Sequence, residues 1–306
     1  MDKAYDVIII GAGPAGMSAA VYGIRAGLSV LVLEKSGMAG GQILNTYEVE
    51  NYLGFSSISG FELGTKFKEH GEHLGVTVKS GTVKKVIDQG KFKLVETEEG
   101  NYIGKSLILA TGASHAKLMV KGEEELSGMG VSYCATCDGA FFRNRTVAVV
   151  GGSDVAVEDA IFLARGCEKV YLIHRRDKLR AAKRLQETLL KLSNVEILWN
   201  TTVEQIQGED MVEALELYNK ETKEKTALKV SGVFIAVGMN PNTELFKGLV
   251  DMDEKGYIKA GETCETSHPG IFAAGDLRTK ELRQIVTAVA DGASSIASSE
   301  KYLMTL

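Results

Sequence analysis

One unit occurs twice in this chain: an apolar strand, a glycine-rich turn, a helix and a second strand, with the two turns opening at Gly11 and Gly151. In the first copy residues 5–10 predict a buried strand, 11–16 a turn, 14–26 a helix and 29–34 the second strand. In the second copy residues 146–150, 151–156, 157–165 and 169–174 take the same roles. Two such units 140 residues apart demand two parallel sheets with helices on their faces, and a chain of 306 residues with 44% hydrophobic content can bury two cores.

Three further apolar strands stop at glycine: 107–110 before Thr111 and Gly112, 233–237 before Gly238, and 271–274 before Gly275 and Asp276. Strands that end this way bring backbone close to a ligand. The last of them follows the second copy, so the first domain is expected to be discontinuous, 1–113 with 245–306, and the second, 114–244, to be inserted in it. Alternating stretches at 82–87 with 92–97, and at 203–206 with 214–218, predict antiparallel meanders covering the parallel sheets. The fold class expected is α/β, two Rossmann-like three-layer nucleotide-binding domains, one inserted in the other.

The first turn reads Gly11-Ala12-Gly13-Pro14-Ala15-Gly16. Its glycines permit a tight turn, close approach of a pyrophosphate and close helix packing, with the helix N-terminus facing the phosphates. Glu34 lies 18 residues after Gly16 at a strand end, where a carboxylate can accept hydrogen bonds from ribose hydroxyls. An adenine dinucleotide is the ligand this pattern predicts; the plainer alternative is an ordinary strand-turn-helix corner. The second turn, Gly151-Gly152-Ser153-Asp154-Val155-Ala156, departs from the pattern at Ser153. In the frame of Glu34 it carries His174, followed by Arg175, Arg176 and Arg180. A 2′-phosphate carries about two negative charges, and guanidinium groups match it, so the exchange of acid for base predicts NADPH over NADH. The competing reading is a solvated run of charge.

Cys134 and Cys137 are three apart, a spacing that on a helical turn allows a reversible disulfide. Cys167 and Cys264 are isolated and no histidine pair sits close to a cysteine in sequence, so a metal site is not expected. Cys167 is expected to pack as a small hydrophobe, and neither isolated cysteine is assigned to catalysis. Asp138 follows the pair and offers a carboxyl group for proton transfer, or a turn cap, or both; Gly139 leaves room beside it. Phe141 and Phe142 suit either an apolar docking contact or entry to the next buried strand.

A net charge of -5 provides no basic field for phosphate backbones, so nucleic acid is not an expected partner. The apolar run after Asp2 and Asp6 is too short for a signal sequence or a membrane span, and no other stretch reaches membrane length. Four scattered cysteines do not make a disulfide framework, which suits a reducing, cytoplasmic setting.

Taken together, Cys134-Ala135-Thr136-Cys137-Asp138-Gly139, the run from His174 to Asp177 with Arg180, and the Gly275-Asp276 strand end closely resemble the low-molecular-weight thioredoxin reductases, flavoproteins of the pyridine nucleotide-disulfide oxidoreductases. The resemblance spans essentially the whole chain. It implies that FAD is lined by Gly11, Gly13, Pro14, Ala15, Gly16, Glu34, Lys35, Gly41, Gln42, Asn51, Val83, Ala110, Thr111, Gly112, Gly275, Asp276, Arg283, Gln284 and Ile285. It also implies that NADPH is held by Gly152, Ser153, Asp154, Val155, His174, Arg175, Arg176 and Arg180. Catalysis would then fall to Cys134, Cys137 and Asp138, with electrons passing from NADPH through FAD to the disulfide and on to thioredoxin. By the same resemblance Cys137 faces the flavin and Cys134 attacks the partner, an order the residues alone do not set. A homodimer and a rotation of the inserted domain about crossings near Ala113 and Asn242 are further implications. The rival readings keep the flavin and change the current: reduction by ferredoxin or another carrier, suggested by Ser153, or oxidation of a small dithiol with electrons passing to oxygen. A non-catalytic flavin scaffold would have no use for the cysteine pair.

Overall fold

The computed structural model describes residues 4–46 and 49–306; Asp2, ahead of the first strand, lies outside them. In chain order the elements are β1 (Tyr5–Ile10), α1 (Pro14–Arg25), β2 (Val30–Glu34), α2 (Gly60–His73), β3 (Thr77–Ser80), β4 (Val83–Gln89), β5 (Phe92–Thr97), β6 (Asn101–Leu109) and β7 (Ala113–His115). There follow β8 (Val131–Ser132), α3 (Ala135–Asp138), β9 (Thr146–Gly151), α4 (Asp154–Leu163), β10 (Lys169–Ile173), α5 (Lys183–Leu189) and β11 (Val195–Leu198). The chain closes with β12 (Thr201–Gln207), β13 (Ala214–Asn219), β14 (Lys225–Lys229), β15 (Gly232–Ala236), β16 (Met239–Pro241), β17 (Ile271–Ala273) and α6 (Ile285–Leu303). It divides into two compact units, Met1–Ser114 with Asn240–Leu306, and His115–Met239.

In the first unit the sheet runs β3-β2-β1-β6, parallel throughout, and β17 adds alongside β6. Alternate side chains of β1 serve opposite faces, which is why the strand is apolar at every position from Val7 to Ile10. Val7 and Ile9 pack with Met17 and Ala20 of α1 and Ile296 of α6; Ile8 and Ile10 pack with Leu31, Val95, Phe246 and Ile258. Each fully buried Ile or Leu here contributes about 1.5–3 kcal/mol relative to exposure. Helices α1 and α6 touch backbone to backbone at Gly292, where a Cβ would lie 2.2 Å from Ala15 O.

The β4–β5 hairpin is antiparallel as expected, but it does not form a separate covering layer. Strand β6 is long enough to pair antiparallel with β5 at its start (Ile103 with Leu94) and parallel with β1 at its end (Leu107 with Ile8), so the hairpin extends the same sheet. The expectation of a strand confined to 107–110 captured only the buried end of β6.

In the second unit the parallel sheet runs β11-β10-β9-β15-β8. Helices α4 and α5 cover one face around Val147, Val149, Leu172 and Phe234. The antiparallel β12-β13-β14 meander is a separate sheet, and its Leu215 and Leu217 share a core with Val150, Ile173 and Val233 on the other face. Helix α4 starts at Asp154, three residues before the predicted start, with Ser153 as its N-cap residue.

Residues 240–244, expected in the insert, belong to the first unit. The Asn242 side chain donates to Thr111 O (2.9 Å) and accepts from Ser114 Oγ (2.9 Å), and Thr243 Oγ1 donates to Gly256 O (2.7 Å). No helix among the described residues is long and apolar enough to cross a membrane.

Candidate active site

The first unit gathers the glycine turn after β1 with several segments distant in sequence. Gly11 has φ 107° and would place a Cβ 2.5 Å from Ala110 O, and a Cβ on Gly16 would lie 1.9 Å from Gly11 O, so both positions require glycine. Gly13 differs: its Cβ would meet only Gly41 Cα, at 4.0 Å, which leaves Gly13 and Gly41 as an open floor. Gly40 N donates to Ala12 O (2.8 Å) and holds the segment carrying Gly41 and the exposed Gln42 beside Pro14 and Ala15 at the start of α1. Buried Glu34 is pinned by Ala12 N on Oε2 (2.8 Å) and by Ser36 N and Oγ on Oε1 (3.0 and 2.9 Å), with acceptor capacity to spare. Lys35 next to it is exposed. Gly81 N donates to Glu34 O (3.0 Å), which brings the start of β4 and Val83 to the end of β2.

Ala110, Thr111 and Gly112 follow β6; Thr111 Oγ1 donates to Asn242 O (2.6 Å), and a Cβ on Gly112 would come 4.0 Å from Gln42 Nε2. Asn51 Nδ2 donates to Gln284 Oε1 (3.0 Å) across 233 residues of sequence, just ahead of Ile285 at the start of α6. Gly275, at φ 90°, would bring a Cβ within 3.0 Å of Ala15 Cβ. Arg283 stacks 4.1 Å from the Tyr257 ring centroid and its Nε donates to Asp276 O (3.3 Å). Asp276 Oδ1 is buried with no hydrogen-bond partner, and burial raises its carboxyl pKa against the opposing pull of Lys280 and Arg283. A buried acceptor without a partner beside an open glycine floor fits a ligand that brings hydroxyls and phosphates, as FAD does.

Asp291 was not among the residues the sequence singled out. Its Oδ2 accepts from Gly275 N, Arg278 Nε and Lys280 Nζ, each at 2.8 Å, and its Oδ1 from Arg278 Nη2 at 2.6 Å. This buried triad anchors the Gly275-Asp276 turn to α6.

In the second unit Ser153 has φ -88°, an ordinary value that asks for no glycine, so the departure at this position leaves the turn intact. Asp154 Oδ1 accepts from Ala182 N (2.7 Å) and Arg180 N donates to Gly152 O (2.7 Å), tying the basic loop to the turn; Val155 is exposed on the first turn of α4. Arg175, Arg176 and Arg180 are exposed, and none forms an ion pair among the described residues. His174 does not join them, which corrects its place in the basic cluster. It is buried, with Nδ1 2.8 Å from Gly151 O and Nε2 2.9 Å from Lys178 O, so both ring nitrogens are engaged by backbone. The reason is its position one residue beyond β10, where the ring turns back under the glycine turn. A Cβ on Gly152 would lie 2.2 Å from that ring. Gly152→Ala is therefore expected to displace His174 and lower the stability of the unit by about 1–3 kcal/mol, read as a lower denaturant midpoint.

Cys134 and Cys137 form a disulfide with Cα atoms 5.3 Å apart, Cys134 standing as the N-cap residue of the short α3. Both are half-buried, and Cys134 Sγ lies 3.4 Å from Thr136 Oγ1. Burial raises the Asp138 carboxyl pKa, while a hydrogen bond from Ser132 opposes the rise; Asp138 Oδ1 is buried without a partner. A Cβ on Gly139 would press on Leu163 (3.0 Å) and Phe162 (3.1 Å), so this glycine lets α3 lie close on α4. The two phenylalanines part company: Phe142 packs edge-on to Phe234 in the core, whereas Phe141 is 38% exposed. Cys167 packs in the core as expected and Cys264 is equally buried; desolvation pushes their thiols up to about 11 and about 12. Both are thus protonated and poor nucleophiles at neutral pH.

The family model described as pyridine nucleotide-disulphide oxidoreductase matches residues 5–292. The chain is 50% identical to the thioredoxin reductase of Listeria innocua and 48% identical to that of Bacillus subtilis, in each case over all of this chain and 96% of the relative. The crystal structure of thioredoxin reductase from Streptococcus pyogenes, 46% identical, superposes over the full length of both chains with a TM-score of 0.94. With these relatives, its paired nucleotide turns and its disulfide, the chain belongs to the pyridine nucleotide-disulphide oxidoreductases, in their low-molecular-weight thioredoxin reductase branch.

Proposed function

We propose that this protein is an NADPH-dependent thioredoxin-disulfide reductase of the cytoplasm, working as a homodimer. The observation that carries the reading is the Cys134–Cys137 disulfide beside the buried, partnerless Oδ1 of Asp138. FAD, when bound, supplies the electron relay between the nicotinamide and this disulfide. The residues proposed to hold it are the glycine floor of Gly11, Gly13, Gly16 and Gly41, Glu34 toward the ribose, Asp276 through its free Oδ1, and Gln42, Asn51, Thr111, Arg283 and Gln284 around them. The unit His115–Met239 would bind NADPH through Gly152, Ser153 and the start of α4, with Arg175, Arg176 and Arg180 on the 2′-phosphate. His174 would act there by tying the two loops together.

In the dithiol form, Cys134 Sγ attacks one sulfur of the thioredoxin disulfide; the new S–S bond forms as the thioredoxin bond breaks and its second sulfur leaves as thiolate. Cys137 Sγ then attacks Cys134 Sγ, re-forming the disulfide seen here and releasing the other thioredoxin sulfur. Cys134 is the sulfur with a hydroxyl neighbour, the exposed Thr136, which suits the proposed attack on the partner. Asp138 carries the proton that a thiol must lose before it attacks.

Anaerobic addition of NADPH to the purified yellow protein should bleach the oxidised flavin, and thioredoxin should restore it. A flavin that only ferredoxin bleaches would move the donor assignment; peroxide made during dithiol turnover would reverse the current. Replacing Arg175 and Arg180 together with alanine should weaken NADPH by at least about 100-fold, since each removes a charge-assisted contact of about 1.5–3 kcal/mol. NADH, lacking the phosphate, should change less than about twofold on the same grounds. Equal losses for both coenzymes would refute the 2′-phosphate assignment.

A further inference from the structure

Ser132 ends β8, two residues ahead of the disulfide, and is buried. Its hydroxyl accepts from Cys134 N (3.1 Å) and lies 2.5 Å from Asp138 Oδ2 and 3.4 Å from Cys134 O. A carbonyl and an ionised carboxylate only accept, and the serine has one proton, so it can serve one of the two at a time. When Asp138 is ionised the proton belongs on Oδ2, the nearer and charged acceptor. When Oδ2 is protonated it can donate to Ser132, whose own proton is then free to turn to Cys134 O. That same carbonyl accepts from Cys137 N (3.2 Å) and Asp138 N (3.1 Å), so the hydroxyl joins the carboxyl group to the backbone of both cysteines.

We propose that Ser132 is a positioning residue for the dithiol chemistry: it holds Oδ2 of Asp138 against the Cys134 backbone and leaves Oδ1 as the oxygen that exchanges protons with the sulfurs. This rests on the reading of Asp138 as the proton carrier of the pair. Among the described residues Ser132 alone hydrogen-bonds to the Asp138 side chain, and Oδ1 is buried and empty-handed. Strand β8, its neighbour β15 and the turn Gly139–Phe142 carry no charged residue; α4, packed on α3, carries Asp154, Glu158 and Asp159. Tyr133, between Ser132 and Cys134, turns its hydroxyl to Glu123 (2.8 Å). Ser132 is thus the side chain placed to hold the carboxylate against the burial that disfavours it.

In the closing step the Cys137 thiol gives its proton to Asp138 Oδ1 and its sulfur electron pair to Cys134 Sγ. The bond from Cys134 to the substrate sulfur breaks, that sulfur leaves as thiolate, and Asp138 returns the proton to solvent. Losing the Ser132 hydrogen bond makes the carboxylate harder to form, so this step should need a higher pH.

The test uses the full chain reduced with dithiothreitol, desalted, and mixed in a stopped-flow instrument with 5,5′-dithiobis(2-nitrobenzoate) across a pH series. The second equivalent of released thiolate reports ring closure and needs no nicotinamide. Ser132→Ala should move the acid limb of that step up by about one pH unit and slow it about tenfold at a pH below the limb. In an Asp138→Asn background Ser132→Ala should add nothing further. An unmoved limb, or a Ser132→Ala effect that persists undiminished beside Asp138→Asn, overturns the proposal. If Asp138→Asn by itself leaves the limb in place, the Asp138 reading falls first and takes this proposal with it. Should Ser132→Ala not fold, Ser132→Gly carries the same comparison.

Discussion

Replacing Cys137 with serine should leave thioredoxin reduction below about a thousandth of the unmodified protein, because the pair acts as a unit and neither sulfur completes the exchange alone. The two single variants should nevertheless fail differently. With Cys134 intact and Cys137 gone, the outward sulfur can still attack thioredoxin but nothing displaces the product, so one covalent thioredoxin per chain should accumulate. Non-reducing electrophoresis reads that adduct directly. On the proposed assignment of Cys134 as the attacking sulfur, Cys134→Ser should trap far less, since the remaining sulfur also lacks the Thr136 hydroxyl. Disulfide reductase activity surviving in the double serine variant would remove the basis of the functional reading.

Asp291→Asn should lower stability by about 3–5 kcal/mol, since it leaves Arg278 and Lys280 buried without their counter-charge. Their side chains are only 9% and 8% exposed, so water cannot take the place of the carboxylate. In the melting curve this is a drop of roughly 10 °C. FAD affinity should fall with it, because Asp291 holds the backbone of Gly275 next to Asp276. The pH dependence has a definite sign. Burial alone would raise the Asp291 pKa, but Arg278, Lys280 and the Gly275 N–H outweigh it and hold the group below its ordinary value. A depressed folded pKa gives stability that is present above the unfolded value of about 3.9 and disappears as pH falls through the folded one. The unmodified protein should show this acid limb in denaturation measured from pH 7 downward, and Asp291→Asn should lack it. An unchanged midpoint would mean that the triad contributes nothing net.

The elements legible in the sequence are those set by local period and turn chemistry. Strands β1, β2, β9 and β10 each contain an uninterrupted apolar run bounded by glycine or charge, and α1 and α4 come directly after glycine turns, so each announces itself within a dozen residues. Helix α6 does not. Its buried face is Ala288, Gly292, Ser295, Ile296 and Ser299, small or polar residues whose burial depends on the closeness of α1 and leaves almost no apolar period. Asp291 reads as a solvated helix charge until Arg278 and Lys280 fold back onto it. His174 shares a basic run with three arginines, yet it continues the inward register of β10, and that register was the available clue that its ring turns inside. Ser132 gave no signal beyond its nearness to Cys134, since its role depends on where Asp138 Oδ2 lands.

The interrupted first unit has a consequence for biosynthesis. Strand β6 takes β17 as its neighbour across more than 160 intervening residues, and Gly275, Asp276 and Gln284 reach the glycine floor only with that late segment. The stretch His115–Met239, by contrast, holds its own core in continuous chain. On the ribosome the unit with the cysteines can therefore acquire its structure first, while the earlier-made half waits for the C-terminal segment to leave the exit tunnel. Capture of the flavin must wait for the segment from residue 271 onward, and a chain released before residue 271 should emerge with its disulfide partners in place but colourless.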